Sequence, residues 1–277
     1  MKLIRRLGEG GLGVVTLYQE NDGSLVAVKQ MKVAWDTTYL KRFWLEIDIM
    51  KSFRHKNIVG VFKYDKNPQN PYYKMPFYEE GTLRDKINEL TSKNQRFTDR
   101  ASTAMVLVIS SAMKYAHQSG AIHRDLKPEN ILFKDNEPVI SDWGIGALVH
   151  KESIVLQGTQ KLGTKNYCSP EQWETGICGV TADIYSLGVI YRELVTGSMV
   201  GQIDNSQIAK IVDKMTAHSA NARYTNMDEV IRAVNSLNII ENNGNPMIDF
   251  WADFKKVVLI SGVLALIWLF SGLLKKK

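Results

Sequence analysis

The 277-residue sequence predicts an α+β chain of two lobes, a small β-rich lobe over residues 1–78 and a larger helical one over 79–238, with one transmembrane helix at 257–274. Three observations predict it. β-Branched and aromatic runs separated by turn residues fill the first part, and apolar residues recur at helical steps through the second. Val257 to Leu274 then runs for 18 residues without a charge.

Val14 to Gln19 and Ser24 to Met31 are two β-rich runs joined through Glu20-Asn21-Asp22-Gly23, and the Asp-Gly pair marks a hairpin. Phe43, Ile47, Met50 and Phe53 fall at steps of four or three, which predicts a helix. Asn57 to Phe77 is strand-like again, broken by an Asn/Pro-rich turn from Asn67 to Pro71. Thr98 is an N-cap for a helix that turns Ala104, Val108, Ala112 and Tyr115 to one face and stops at Gly120. A further helix is expected from about Asp183 to Val195, with Gly197 after it. From Asn238 to Pro246 the chain turns polar and Asn-rich, so 239–256 is expected to be a linker.

At about 1.5 Å per residue, a helix over Val257 to Leu274 covers roughly 27 Å, close to the hydrocarbon thickness of a bilayer. Lys255 and Lys256 flank it on one side and Lys275 to Lys277 on the other, while Phe250, Trp251 and Trp268 suit an interface. A core helix seldom carries lysine clusters at both ends, so the segment is expected to be a membrane anchor. Ser261 and Ala265 give it a small-x-x-x-small face, which suits weak pairing of two anchors.

Composition narrows the class. With 44% hydrophobic and 23% charged residues the chain is not of the disordered type. The net charge of +6 is expected to be spread along the chain, so it does not single out nucleic acid as a partner. Met1 to Leu7 carries three basic residues but no apolar stretch follows, so no secretory signal is expected. Only Cys168 and Cys178 are present, which argues against a disulfide framework and for a reducing compartment.

Gly8-Glu9-Gly10-Gly11-Leu12-Gly13-Val14-Val15 fits G-x-G-x-x-G-x-V. A dinucleotide fingerprint would open a helix. Here β-branched residues lead into a hairpin, which suits a strand–turn–strand lid whose backbone approaches phosphates closely. Lys29 follows in Val26-Ala27-Val28-Lys29 on the next strand. His123-Arg124-Asp125-Leu126-Lys127-Pro128-Glu129-Asn130 lies beyond the helix stop at Gly120, and Asp142-Trp143-Gly144 begins 12 residues after Asn130.

At these motifs the sequence resembles the eukaryotic-type serine/threonine protein kinases over residues 1–238. The resemblance implies transfer of the ATP γ-phosphate to protein hydroxyls, a reaction that depends on positioning and charge neutralisation. It implies that Asp125 accepts or orients the hydroxyl proton, that Asn130 and Asp142 bind Mg²⁺ (or Mn²⁺), and that Lys29 holds phosphates while paired with Glu46. Lys127 would reach the γ-phosphate, and Thr164 would touch the catalytic aspartate from Gly163-Thr164-x-x-Tyr167-x-Ser169-Pro170-Glu171. Leu7, Gly8, Glu9, Gly10, Gly11, Leu12 and Gly13 would cradle the nucleotide. Val15, Ala27 and Leu132 would sandwich the adenine, with Met75, Phe77 and Tyr78 at the hinge, where Pro76 removes one donor. Glu171 would pair with Arg223, and Asp183 would hold the catalytic loop.

Trp143 stands where the family usually has phenylalanine, and Gly197 to Gln207 is short for the family. Cys168 is either a redox-sensitive thiol or a small packed residue. Arg124 implies a phosphate acceptor on the activation segment, and Thr159 is favoured over Ser153 and Thr164. Two other classes compete: a pseudokinase binding module, which usually loses the equivalent of Lys29, Asp125 or Asp142, and a small-molecule kinase, which generally lacks the Gly163 to Glu171 pattern. The expected setting is a single-pass membrane protein whose kinase lobes face the cytosol, where ATP is supplied.

Overall fold

The computed structural model describes residues 1–10, 13–32, 37–143, 147–148, 164–176, 179–237 and 239. Strands β1 (Lys2–Glu9), β2 (Gly13–Gln19) and β3 (Leu25–Met31) form an antiparallel meander. The β2–β3 turn closes through Glu20 N–H to Ser24 O at 2.8 Å, with Gly23 at φ 88°. At Gly13 a Cβ would lie 2.4 Å from Gln30 O, so only glycine lets β2 approach β3 there. β4 (Lys63–Asp65) and β5 (Tyr72–Pro76) complete a sheet of order β1-β2-β3-β5-β4.

Helix α1 (Thr37–Ser52) buries Phe43, Ile47 and Met50 against this sheet, and the Phe43 ring meets Tyr73 at 5.6 Å. The expected strand character of Asn57 to Phe77 holds only at β4 and β5. Asn57 to Val59 instead crosses to β8 (Glu137–Ile140) in the second lobe, where Ile140 N–H reaches Asn57 O and Val59 N–H reaches Ile140 O, both at 2.9 Å. A partner strand in another part of the chain satisfies this backbone, which no local pattern announces.

The second lobe is helical. α2 (Leu83–Ser92) starts with a capping box between Thr82 and Asp85. α3 (Asp99–Gln118) is capped by Thr98, which accepts from Ala101 N–H. Ala104 and Ala112 are buried on it, whereas Val108 and Tyr115 are half-buried. α4 (Pro170–Thr175) precedes α5 (Val180–Thr196), which begins three residues before the expected Asp183 and ends at Gly197 with φ 76°. α6 (Ser206–Met215) and α7 (Met227–Asn235) pack on α5 and α3. Short strands β6 (Ala121–Ile122), β7 (Ile131–Lys134) and β9 (Ala147–Leu148) hold the segments between α3 and α4.

The expectation of evenly spread charge fails. Residues 1–78 hold 13 Lys and Arg against 7 Asp and Glu, and residues 79–238 hold 17 against 19, so the positive charge belongs to the first lobe. The linker at 239–256 beyond Ile239, the span Val257 to Leu274 and Lys275 to Lys277 lie outside the described residues. Among the described residues no helix is long and apolar enough to cross a membrane.

Candidate active site

Between the lobes lies a cleft of about 630 Å³. Leu7, Val15, Ala27, Met75 and Leu132 give it apolar walls, and Lys29, Asn130 and Asp142 make its inner end polar. Phe77 and Tyr78 line it where β5 leaves the sheet, beside Glu79. Gly8, Glu9 and Gly10 form its roof, and a Cβ at Gly8 or Gly10 would meet nothing within 4 Å. Packing therefore does not require those two glycines, and the reason for them lies on the cavity side. Gly13 is not among the lining residues; its role is the close contact with β3. Gly11, Leu12, Gly144, Ser153, Thr159 and Gly163 lie outside the described residues.

At the inner end, Lys29 Nζ donates to Glu46 Oε1 at 2.6 Å and to Asp142 Oδ1 at 2.8 Å. Lys29 projects from β3, Glu46 from the buried face of α1, and Asp142 from just beyond β8. Tyr73 adds a bond to Glu46 Oε1 at 2.8 Å. Burial pushes the Glu46 carboxyl up to about 7 against the pull of Lys29. Burial also opposes charge on Lys29, yet Asp142 and Glu46 together raise its ammonium well above the ordinary lysine range. The Asp142 side chain is 43% exposed, and the Lys29 ammonium holds its carboxyl far below the usual range. Asp48 faces elsewhere and pairs with Lys66 at 2.7 Å.

Asp125 sits opposite. Its Oδ1 accepts from Thr164 N–H and Thr164 Oγ1, both at 3.0 Å, and its Oδ2 accepts from Lys127 Nζ at 2.7 Å. Lys127 also reaches Thr164 Oγ1 at 2.8 Å, and Asn130 Nδ2 donates to Asp125 O at 2.8 Å. Asp183, buried in the first turn of α5, accepts from His123 N–H and Arg124 N–H, each at 2.9 Å, and from His117 Nε2 at 2.8 Å. These charge-assisted bonds fix a strained loop in which Arg124 has φ 68°. Asp125 N–H donates to His123 Nδ1 at 3.2 Å, so His123 carries its proton on Nε2, which donates to Ser141 O at 2.9 Å. That pair of bonds ties the Asp125 loop to the residue before Asp142.

Trp143 is fully buried between Phe53, at 4.8 Å, and His123, at 4.6 Å, and its Nε1 has no acceptor among the described residues. Cys168 is buried, which makes it a packed residue. Glu171 and Arg223 form a two-pronged pair at 2.8 and 2.7 Å, and Arg223 also donates to Ala217 O, Thr181 O and His218 O.

Sequence reasoning missed Arg84, Tyr73, Thr82, Asp85 and Glu193. Arg84 Nε donates to Glu129 Oε1 at 2.8 Å and Nη1 to Glu193 Oε1 at 2.7 Å, while Tyr167 OH donates to Glu193 Oε2 at 2.5 Å. The Thr82-x-x-Asp85 capping box is the one local signal that marks this corner.

A protein kinase domain family model matches residues 1–255. The chain is 29% identical over 283 residues to a probable serine/threonine-protein kinase PknB of Lactococcus lactis, covering 91% of this chain and 44% of that protein. It is 36% identical over 191 residues to serine/threonine-protein kinase PknL of Mycobacterium tuberculosis, covering 67% and 47%. Identity to serine/threonine-protein kinase Pkn1 of Myxococcus xanthus is 36% over 211 residues, covering 72% and 29%. The chain thus spans less than half the length of each of these relatives.

Proposed function

Because the chain belongs to the protein kinase domain family, in its eukaryotic-type serine/threonine branch, we propose that it transfers the ATP γ-phosphate to serine and threonine hydroxyls of protein substrates at a membrane. The observation that carries this reading is one cleft with two opposed polar groups. Lys29 and Asp142 meet at its inner end, and Asp125, Lys127 and Thr164 hold one another at its floor.

The apolar walls suit an adenine ring, and the Lys29 ammonium suits the phosphates. Mg²⁺ fits the oxygens of Asn130 and Asp142, since a hard cation takes such donors. Among the described residues no cluster of three or more His, Cys, Asp or Glu forms a metal site alone, so nucleotide oxygens complete the set. Bound there, Mg²⁺ (or Mn²⁺) supplies charge neutralisation on the phosphates.

Each remaining task falls to a side chain. Glu46 orients Lys29 from α1, so the phosphates are held only when α1 is docked. Asp125 accepts the hydroxyl proton, and Thr164 sets the angle of its carboxylate. Lys127, 2.7 Å from Asp125, stabilises negative charge growing beside it. Linker 239–256 and anchor 257–274 would tether the lobes on the cytosolic side, where ATP is available.

A pseudokinase would bind nucleotide without turnover, and the full Lys29, Asp125 and Asp142 set favours turnover. The test is phosphotransfer from labelled ATP to a generic protein by the full chain beside Asp125→Asn and Asp142→Asn variants. Both variants are expected to lose activity with the fold retained. Activity within about tenfold of the parent, roughly 1.4 kcal/mol of barrier, overturns the assigned roles.

A further inference from the structure

The positive charge of the first lobe has a place. β4 is the short edge strand of the sheet, and α1 ends beside it. Phe62, which bonds Lys74 O just before β4, is 57% exposed, and Tyr64 is 41% exposed. Lys51 at the end of α1 donates to Tyr64 OH at 2.6 Å and lies 4.1 Å from the centre of its ring. Arg54 is exposed next to it, with its guanidinium turned to Lys51 O and Phe53 O at 2.8 Å. Lys63 stands exposed between the two aromatics.

The nearby carboxylates are engaged. Asp48 is paired with Lys66, Glu137 with Lys56, and Asp65 accepts from Asn67 N–H at 2.8 Å. A lysine on an edge strand guards against strand pairing. That role does not explain two large aromatic side chains left in water beside three cations. None of these residues lines the cleft.

We propose that Phe62, Tyr64, Lys51, Arg54 and Lys63 form a docking face for an anionic lipid surface, which rests on the membrane-anchored reading above. Aromatic rings suit the headgroup boundary, and cations beside them are drawn to anionic lipid. An anchored chain holds this face near such a surface at all times, so a small patch suffices. Docking would fix how the cleft is presented to substrates in the same membrane.

The test uses the full chain with lipid nanodiscs, either neutral phosphatidylcholine or the same lipid with phosphatidylglycerol, followed by lysine acetylation footprinting. Labelling of Lys51 and Lys63 is expected to fall about fivefold in the anionic discs. Lys134 and Lys210, exposed on the second lobe, should be unchanged. Salt at about 1 M, where screening acts within about 3 Å, should restore labelling. A Phe62→Ser, Tyr64→Ser double variant should lose the protection.

Co-elution with both discs and equal footprints overturns docking and leaves the anchor standing. Co-elution with anionic discs alone overturns the anchor and keeps docking. Elution apart from both overturns both. Equal protection by a single-stranded RNA homopolymer without lipid reassigns the face to nucleic acid and overturns the proposal.

Discussion

Arg84 and Glu193 are joined by two hydrogen bonds, 2.7 Å from Nη1 to Oε1 and 3.3 Å from Nη2 to Oε2, across the gap between α2 and α5. Tyr167 shares the same carboxylate, so one buried anion ties both helices to the segment that carries Thr164. Arg84→Ala would leave Glu193 buried without its cation. The expected cost is about 3 kcal/mol in chemical unfolding. KM for protein substrate should rise while KM for ATP stays put. A change confined to the ATP KM would refute this positioning role.

Trp143 sets burial against an unmade bond. Its ring fills the space between Phe53 and His123, yet the indole N–H has no acceptor among the described residues. An orphaned donor costs about 1–3 kcal/mol. Trp143→Phe removes it at the expense of some packing, so the two effects should cancel to within about 1 kcal/mol. Trp143→Ala loses the packing as well and should cost about 3–5 kcal/mol. Thermal unfolding of both variants checks this, and a Phe variant as unstable as the Ala variant contradicts it.

Glu171 makes its contribution depend on pH in one direction. Burial would raise its carboxyl, but the bonds from Arg223 outweigh that and lower it below the ordinary glutamate range. A group with a depressed folded value stabilises the fold above its unfolded pKa and loses that contribution as pH falls. Glu171→Gln should therefore cost about 2 kcal/mol at neutral pH. The gap from the parent should close as pH falls through and below about 4, in the window of the depressed carboxylate. Urea unfolding at pH 7 and pH 4 measures it. A gap that stays constant or widens in acid rejects the linkage.

Thr159 is proposed as the site of autophosphorylation, with Arg124 as the cation that receives the phosphate. Arg124 Nε is buried with no acceptor among the described residues. A phosphate adds nearly two charges and bonds a guanidinium strongly. Mass spectrometry of the active protein should find phosphate on Thr159, and the Asp125→Asn variant should lack it. Full activity in Thr159→Ala would end the idea.

The sequence by itself determined the elements whose causes lie within a few residues. Asp22-Gly23 made the β2–β3 turn, Thr98 capped α3, and Gly197 ended α5 because each acts on its own backbone. It also marked Lys29, Asp125, Asn130 and Asp142, whose residue types at those spacings suit phosphoryl transfer. Tertiary structure decided what depends on distant partners. Asn57 to Val59 abandoned a strand for β8, Tyr73 turned its hydroxyl to Glu46, and Arg84 found Glu193, 109 residues away. Gly13 belongs to the same class, since its glycine answers to Gln30 O on a neighbouring strand. Local propensity reaches about one helical turn, whereas satisfying a buried polar group or a close backbone contact requires whatever the folded chain brings near.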